Sequence, residues 1–510
     1  MNAACVADRW SWAPAGRAPL RAVLDSTERI VVVMDGRFGV QCGVQDSPAR
    51  RAAIMVVQGL RERGHQALLA GGCVRDELLG RVPSDYDVVT DATPAVIGKI
   101  FPRTAEVGAH FGVMLVRVDL LGETGQQEKH IIEVATFRAD GSYTDKRRPD
   151  AVHFSSPDAD AARRDFTVNA LYLDPLAGSD DANVDEVWRA HPQAKCVSAS
   201  ERDGSGVVID YVNGLPDLDA RVLRAVGDPE ARLAEDHLRA LRAVRLSAKL
   251  GFTIEAATAA AITRHAADLH GVSKERIGDE FRMMMEHSSR GEAAETLARL
   301  GLLAQVLEGV AMDGPRAREF SARVLRGLSA EAVREGGLAG GASGVSAGGV
   351  AICVAALLVD AGLTVGRDQD KHDALMTTVR KALCLSNLER DRLVCCLLVA
   401  GKLVGGVWSS AGVAARKRIM GGYGWHDGLE LVRVMDPAVG AAVAAEAAKL
   451  AADGVGVSPE PILTGDHLVA WGMKPGKGFK DLLDRVYDEQ LEGRVRDLEQ
   501  ARELVVQMRV

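Results

Sequence analysis

The feature that most constrains this chain is the run Gly71-Gly72-Cys73-Val74-Arg75-Asp76-Glu77-Leu78-Leu79-Gly80, followed closely by Asp85-Tyr86-Asp87. A short apolar strand candidate, Ala67-Leu68-Leu69-Ala70, leads into the two glycines. A helix-like stretch from Cys73 to Leu79 follows and Gly80 closes it. Two glycines at a strand-to-helix turn let backbone N–H groups approach a phosphate, and Arg75, one turn into the helix, can add a charged fork. In a strand, residues two apart face the same way, so Asp85 and Asp87 present a pair of carboxylates. Either feature alone is commonplace, a plain turn or a solvated strand edge. Joined at this spacing, they predict a triphosphate cradle beside a two-Mg²⁺ site for phosphoryl or nucleotidyl transfer.

The surrounding pattern suits a small sheet. Arg50 to Arg63 has helical apolar spacing, ended by Gly64; Asp85 to Thr90, Gly112 to Val118 and Ile131 to Phe137 carry the β-branched content of strands. From Pro216 onward, apolar residues repeat at helical intervals over Leu223 to Leu250, Ala256 to Leu269, Glu275 to His287 and Glu292 to Leu307. The expected fold is therefore α+β, a sheet head followed by an all-helical neck, body and tail. The boundaries read as an N-terminal extension without an assigned role (1–46), a head (47–176), an inserted irregular loop (177–206), a helical neck (207–309), a helical body with a Gly/Ala/Ser linker at 336–349 (310–455), and a tail (456–510). Arg138 to Asp160 reads as a second inserted loop.

Three further motifs join the first. They are Arg163-Arg164-Asp165-Phe166-Thr167-Val168-Asn169-Ala170-Leu171, then Glu235-Asp236-His237-Leu238-Arg239 with Arg242 and Arg245, then Ser273-Lys274-Glu275-Arg276-Ile277. In this order the four resemble the motifs of class II tRNA nucleotidyltransferases and the related bacterial poly(A) polymerases. The resemblance covers about Ser47 to Glu286 and implies a polymerase-beta-like head. It implies that Asp85 and Asp87 hold Mg²⁺ ions, that Gly71, Gly72 and Arg75 bind the triphosphate, and that Arg164 and Asp165 hold phosphate and ribose. Glu133, on the strand Ile131 to Val134, is a candidate third acid.

The Asp236/Arg239/Arg242/Arg245 series has its own logic, because spacings of three place side chains along one helical stripe. A salt-bridged solvent face is the plain reading. Yet Asp accepts from the amino group of cytosine or adenine, and Arg donates to either ring's acceptor. Uracil and guanine would leave donors facing donors. An unpaired buried polar group costs about 1–3 kcal/mol, so such a pair can admit CTP and ATP without a template.

The resemblance thus implies CCA addition to the tRNA 3′ end from CTP and ATP. The run Val107-Gly108-Ala109-His110-Phe111 lacks the paired basic residues usual in the poly(A) polymerases of this group, which favours that reading. A-adding, CC-adding and poly(A)-adding activities stay open, as do a small-molecule nucleotidyltransferase and an inactive RNA-binding protein. Arg138 to Pro149 lies where the family keeps a flexible loop.

Net charge is −8, with 62 basic and 70 acidic residues, so no general DNA coat is expected and RNA must meet a local basic patch. Lys474, Lys477 and Lys480, in a Gly-rich turn of the tail, are candidates. Eight cysteines without a CxxC pair read as reduced thiols in a cytoplasmic protein. No run of 18 apolar residues occurs, so no membrane span is expected. Leu357 to Asp360 resembles the HD phosphohydrolase core with its His replaced by Val, and His372-Asp373 lacks an upstream His ligand, so no second hydrolase is expected.

Overall fold

The computed structural model describes residues 47–106, 112–121, 126–140, 152–178, 181–199, 205–310, 320–335, 349–363, 369–476 and 478–508, with three strands nearer the start. The 107–111 run, most of the 138–149 loop, most of the Gly-rich linker and Lys477 lie outside the described residues. The chain divides into two units, residues 1–228 and 229–510.

The first unit is built on an eight-stranded sheet. Strands β1 (Arg21–Leu24), β2 (Ile30–Met34) and β3 (Arg37–Gln41) form a small antiparallel sheet within the segment read as an unassigned extension. The main sheet contains β4 (Ala67–Ala70), β5 (Asp87–Thr90), β6 (Thr104–Glu106), β7 (Val113–Leu121) and β8 (Gln127–Thr136). A separate pair, β9 (Arg138–Asp140) and β10 (Val152–Phe154), follows, and β11 (Leu171–Asp174), β12 (Lys195–Ser198) and β13 (Val207–Asp210) complete the main sheet. Its order is β12-β13-β11-β4-β5-β8-β7-β6. Every neighbouring pair is antiparallel except β5 with β8.

Helix α1 (Pro48–Arg61) starts on Ser47, whose side chain accepts from the Arg50 N–H at 3.1 Å, with Pro48 in the first turn where no donor is missed. Its buried stripe of Ala52, Ala53, Val56, Val57 and Leu60 covers one face of the sheet. Inside α1, Arg50 is buried and pairs with Glu77 at 2.8 Å. That bond ties α1 to α2 (Gly72–Leu78), the helix after the glycine turn. Leu68, Ala70, Val89, Phe137, Tyr172, Val207 and Ile209 form a second core cluster.

Both stretches expected to be irregular contain regular structure. Within 177–206 the chain forms helix Asp181–Ala190 and edge strand β12. The sheet then continues through β13, fully buried at Val207-Val208-Ile209-Asp210, inside the stretch read as helical neck. The β-branched run decides this, because it fits a pleated buried position better than a helix. Within 138–160, besides β9 and β10, a helix Pro157–Ala162 forms after Ser156.

The second unit is helical, as expected. The stretch Leu223–Leu250, read as one helical run, is broken: separate helices span Pro229–Glu235 and Leu238–Leu250. The Asp236 carboxylate accepts from the Leu238 N–H at 3.1 Å, opening the second helix. Further on, helices Ala256–Arg264, Lys274–Glu286 and Arg290–Arg299 follow. In the body, Gly349–Asp360 is buried from Gly349 through Leu358 and packs on Asn387–Val404 and Trp425–Met435. The tail has a core of its own, with Leu463, Leu468, Val486, Val495, Ala501 and Val505 under helices Gly465–Ala470, Gly478–Leu491 and Leu498–Gln507. No helix among the described residues is long and apolar enough to cross a membrane.

Candidate active site

The acids gather where β4 turns into α2. Asp87 opens β5; its register partner on β4 is Ala70, the last residue before the glycine turn, and its partner on parallel β8 is Glu133. The alternation on β8 buries Ile132 and Val134 and leaves Glu133 on the open face. Asp85 precedes the strand, exposed, and accepts from the Ser84 hydroxyl at 3.0 Å. Strand pairing thus begins at Asp87, two residues later than the expected strand. Burial raises the Asp87 carboxyl to about 6; the charges of Glu133 and Asp85 push the same way, and Arg164 opposes them. Burial and two neighbouring acids disfavour the charged form of Asp87, with Arg164 partly offsetting them, and such oxygen donors suit a hard divalent cation. The residues present therefore fit such an ion.

Gly71 has φ +79°, a conformation natural to glycine, and a Cβ there would lie 2.9 Å from the Arg164 guanidinium. Its N–H donates to the Leu171 carbonyl at 3.0 Å. The turn is thereby bonded to β11 and packed closely against Arg164. Cys73 beside it is buried, and burial pushes its thiol up to about 12, so it is no nucleophile.

Arg164 lies over the Tyr172 ring at 5.1 Å, donates to Asp160 at 3.0 and 3.1 Å, and donates to the Asn169 carbonyl at 3.1 Å. Asp160 is buried, which alone would raise its carboxyl. The Arg164 and Arg163 charges and the Tyr172 hydroxyl outweigh burial and hold it below the usual carboxylate range.

Arg75, expected to reach for phosphate, is 4% exposed and turned inward. It donates to Asp76 at 2.8 Å and to the Asn169 side-chain oxygen. The Asn169 amide donates in turn to Asp165 at 3.1 Å. Asp165 also accepts from the Phe166 N–H at 2.8 Å. The first and second motifs are thus locked through Asn169, a residue within the quoted run but not singled out. Asp160 was missed as well, because its stretch read as loop.

In the second unit the stripe of four is divided. Asp236 stands between the two helices, not on one with the arginines, and pairs with Arg276 at 2.7 Å. Arg239 donates to the Arg232 carbonyl at 2.7 Å and bonds Glu235. Arg245 reaches buried Glu280 at 2.6 Å, and Arg242 approaches the same carboxylate at 3.6 Å. These side chains are salt-bridged, with Arg276 and Glu280 supplied by the Glu-Arg-Ile helix and Glu235 by helix Pro229–Glu235. Lys474 and Lys480 are exposed in the tail. Asp360 caps helix Arg323–Gly327, accepting from the N–H groups of Val324 and Leu325 at 2.9 Å each.

A mixed sheet with acids beside a glycine turn, followed by helices, is an architecture similar to that of poly A polymerase heads with a helical continuation. Residues 67–187 match the family described as "Poly A polymerase head domain", and 251–313 match "Probable RNA and SrmB- binding site of polymerase A". The CCA-adding enzyme of Bacillus subtilis (strain 168) is 36% identical over 251 residues, covering 49% of this chain and 54% of that protein. The Lacticaseibacillus paracasei enzyme is 39% identical over 239 residues, covering 47% and 50%. The chain matches about half the length of these curated relatives. In the solved Bacillus stearothermophilus CCA-adding enzyme in complex with CTP, the likeness covers 91% of this chain and 98% of that one, at TM-score 0.63 and 24% identity. For the Thermotoga maritima CCA-adding enzyme complexed with tRNA the figures are 91%, 97%, 0.59 and 17%. At these identities the likeness is one of fold. Two segments, 67–187 and 251–313, are thus similar to poly A polymerase domains, and about half of the chain is similar to CCA-adding enzymes.

Proposed function

We propose that this chain adds CMP, CMP and AMP to the 3′ end of tRNA, taking CTP and ATP without a template. The observation that carries the reading is the register pairing of Asp87 with Glu133, close to Asp85 and the Gly71-Gly72 turn. The RNA 3′-hydroxyl oxygen attacks the α-phosphorus, a phosphodiester bond forms, the hydroxyl proton passes to solvent, and pyrophosphate leaves with the old bond's electrons. Two Mg²⁺ ions held by Asp85 and Asp87 would neutralise the triphosphate and favour ionisation of the hydroxyl. Asp85 and Asp87 orient that charge, and Glu133 stands as a third acceptor. Gly71 and Gly72 present backbone without side chains to the phosphates. Arg164 and Asp165 supply the cationic and ribose-accepting groups, while Arg75, turned inward, braces Asn169 and through it Asp165; positioning provides much of the rate.

Base choice falls to Asp236 and Arg239 by hydrogen-bond chemistry, with Arg242 and Arg245 on the same helix. To read a base, Asp236 exchanges Arg276, and Arg239 exchanges Glu235, for donors and acceptors of the nucleotide. Lys474, Lys477 and Lys480 meet RNA phosphates, and the half-length likeness to tRNA-acting CCA-adding enzymes supports tRNA as the partner. Unpaired thiols such as Cys353 and Cys396 suit a cytoplasmic setting.

The test uses tRNA lacking its last three nucleotides, each NTP supplied alone and then CTP with ATP, with products sized on a gel. Three added residues are expected with the pair. A long ladder from ATP, or a single A added only to a CC-ended substrate, would replace the proposal with poly(A) or A-only addition.

A further inference from the structure

Away from the acid cluster, the second unit brings together His237, His265 and Asp268, one ligand atom from each lying within 4.8 Å of the others. His237 immediately precedes helix Leu238–Leu250, His265 caps Ala256–Arg264, and Asp268 sits in the 3₁₀ turn Ala266–Gly271 that follows. The rings of His237 and His265 stack, with centroids 6.1 Å apart and planes 28° from parallel. His265 stands between two carboxylates: Nδ1 is 2.6 Å from Asp268 Oδ2, and Nε2 is 2.7 Å from Glu230 Oε2. Glu230 is itself paired with Arg264.

We propose that His237, His265 and Asp268 are a binding site for a borderline transition-metal ion of the Zn²⁺ class, bracing the start of helix Leu238–Leu250 against the end of Ala256–Arg264. Two imidazoles and one carboxylate suit Zn²⁺ or its neighbours, whereas Mg²⁺ prefers oxygen ligands and retained water. Three protein donors leave a fourth tetrahedral position for water. Glu230 is placed as a metal-bound histidine's outer partner should be, accepting from Nε2–H and leaving Nδ1 to face Asp268.

Coordination requires the ligand atoms, within 4.8 Å of one another, to adjust. Zn–N and Zn–O bonds of about 2.0–2.2 Å put tetrahedral ligand atoms about 3.3–3.6 Å apart. The Nδ1···Oδ2 separation must therefore open from 2.6 Å, and the Asp268 side chain, 46% exposed, has room to swing. On coordination the proton shared by Nδ1 and Asp268 passes to solvent, while Nε2–H stays on Glu230. The buried position of His237, 4% exposed, gives the ion a fixed anchor. Asp236 is the adjacent residue, so an ion held here would also fix the backbone that carries it. This site shares no residue with the acids Asp85, Asp87 and Glu133.

The experiment uses the metal-stripped full-length chain with saturating Mg²⁺ present to cover the carboxylate cluster. Co²⁺ is titrated and followed by visible absorption, and Zn²⁺ by calorimetry. One equivalent of Co²⁺ is expected to give the intense bands of four-coordinate geometry without a thiolate charge-transfer band, and Zn²⁺ should displace it. His265→Gln and Asp268→Asn should each weaken Zn²⁺ binding by roughly 100-fold, and Glu230→Gln by roughly tenfold. Asp268 is exposed enough that its variant keeps the test readable if His265→Gln folds poorly. No four-coordinate spectrum in the wild type, a thiolate band, or unchanged one-equivalent binding in Asp268→Asn would overturn the proposal.

Discussion

The acids at the start of β5 and the arginines of helix Leu238–Leu250 are both dense in charge, but only the second group is neutralised within the fold. Arg242 and Arg245 share Glu280, Arg239 takes Glu235, and Asp236 takes Arg276. Around Asp87 the neighbours are mostly like-charged, and the carboxyl is held near 6 instead of the ordinary 3.8. Opposite charges that meet inside the fold are explained by stability. Like charges held together by strand register need an outside cation to explain them. The contrast supports the proposal that the chemistry lies in the first unit.

The largest effect that would break the comparison is on turnover. Asp87→Asn should lower nucleotide incorporation by at least roughly 10²–10³-fold, measured with labelled CTP and trimmed tRNA. The same variant should be more stable than wild type in metal-free buffer above pH 6. A folded-state pKa above the unfolded value of 3.8 means that ionising Asp87 costs stability. The cost is absent below about pH 4, grows between about 4 and 6, and is complete above that. Its removal is worth on the order of 3 kcal/mol at pH 8, readable as a rise in Tm, and almost nothing at pH 3.5. A Tm gain equal at both pH values would mean that the acids do not strain the fold.

Next in size is Glu280→Gln, which leaves two arginines facing a neutral amide. A loss of about 3 kcal/mol is expected by denaturant titration, because Glu280 is buried. Loss below 0.5 kcal/mol would show that the arginines are held by other groups. Gly71→Ala follows, at about 1–2 kcal/mol, since it combines positive φ with a close approach to Arg164. Its KM for CTP should rise even where Tm recovers at lower assay temperature. The smallest effect is Arg276→Ala: a partly exposed pair is worth about 0.2–1 kcal/mol. If base selectivity changes while stability hardly moves, Asp236 has a reading role beyond the ion pair.

Much of the site was legible because its chemistry is local. The glycine turn, the aspartate pair and the second motif are contiguous runs, and strands β4 and β8 carry clear patterns. Glu133 was visible only as an acid in a strand, since its pairing with Asp87 depends on a crossover that no local spacing encodes. Arg75 illustrates the opposite failure: its helical position was clear, but the partner that turns it inward, Asn169, is 94 residues away. The split at Asp236 was hidden because an Asx-type bond to Leu238 interrupts a pattern whose apolar spacing continues across it. Strand β12 and its preceding helix were hidden by polar composition, which an edge strand tolerates.

The lone parallel pair in the sheet has a consequence for how this head tolerates change. Side chains on β8 alternate between interior and open face, so removing one residue between Gln127 and Ile132 would carry Glu133 across the sheet and expose Ile132 or Val134, unless the strand slipped to compensate. An insertion at the tip of the β7–β8 hairpin changes no pairing partner and leaves the carboxylate beside Asp87. Length variation in this part of the head is therefore tolerable at the hairpin end and ruinous a few residues further along the same strand.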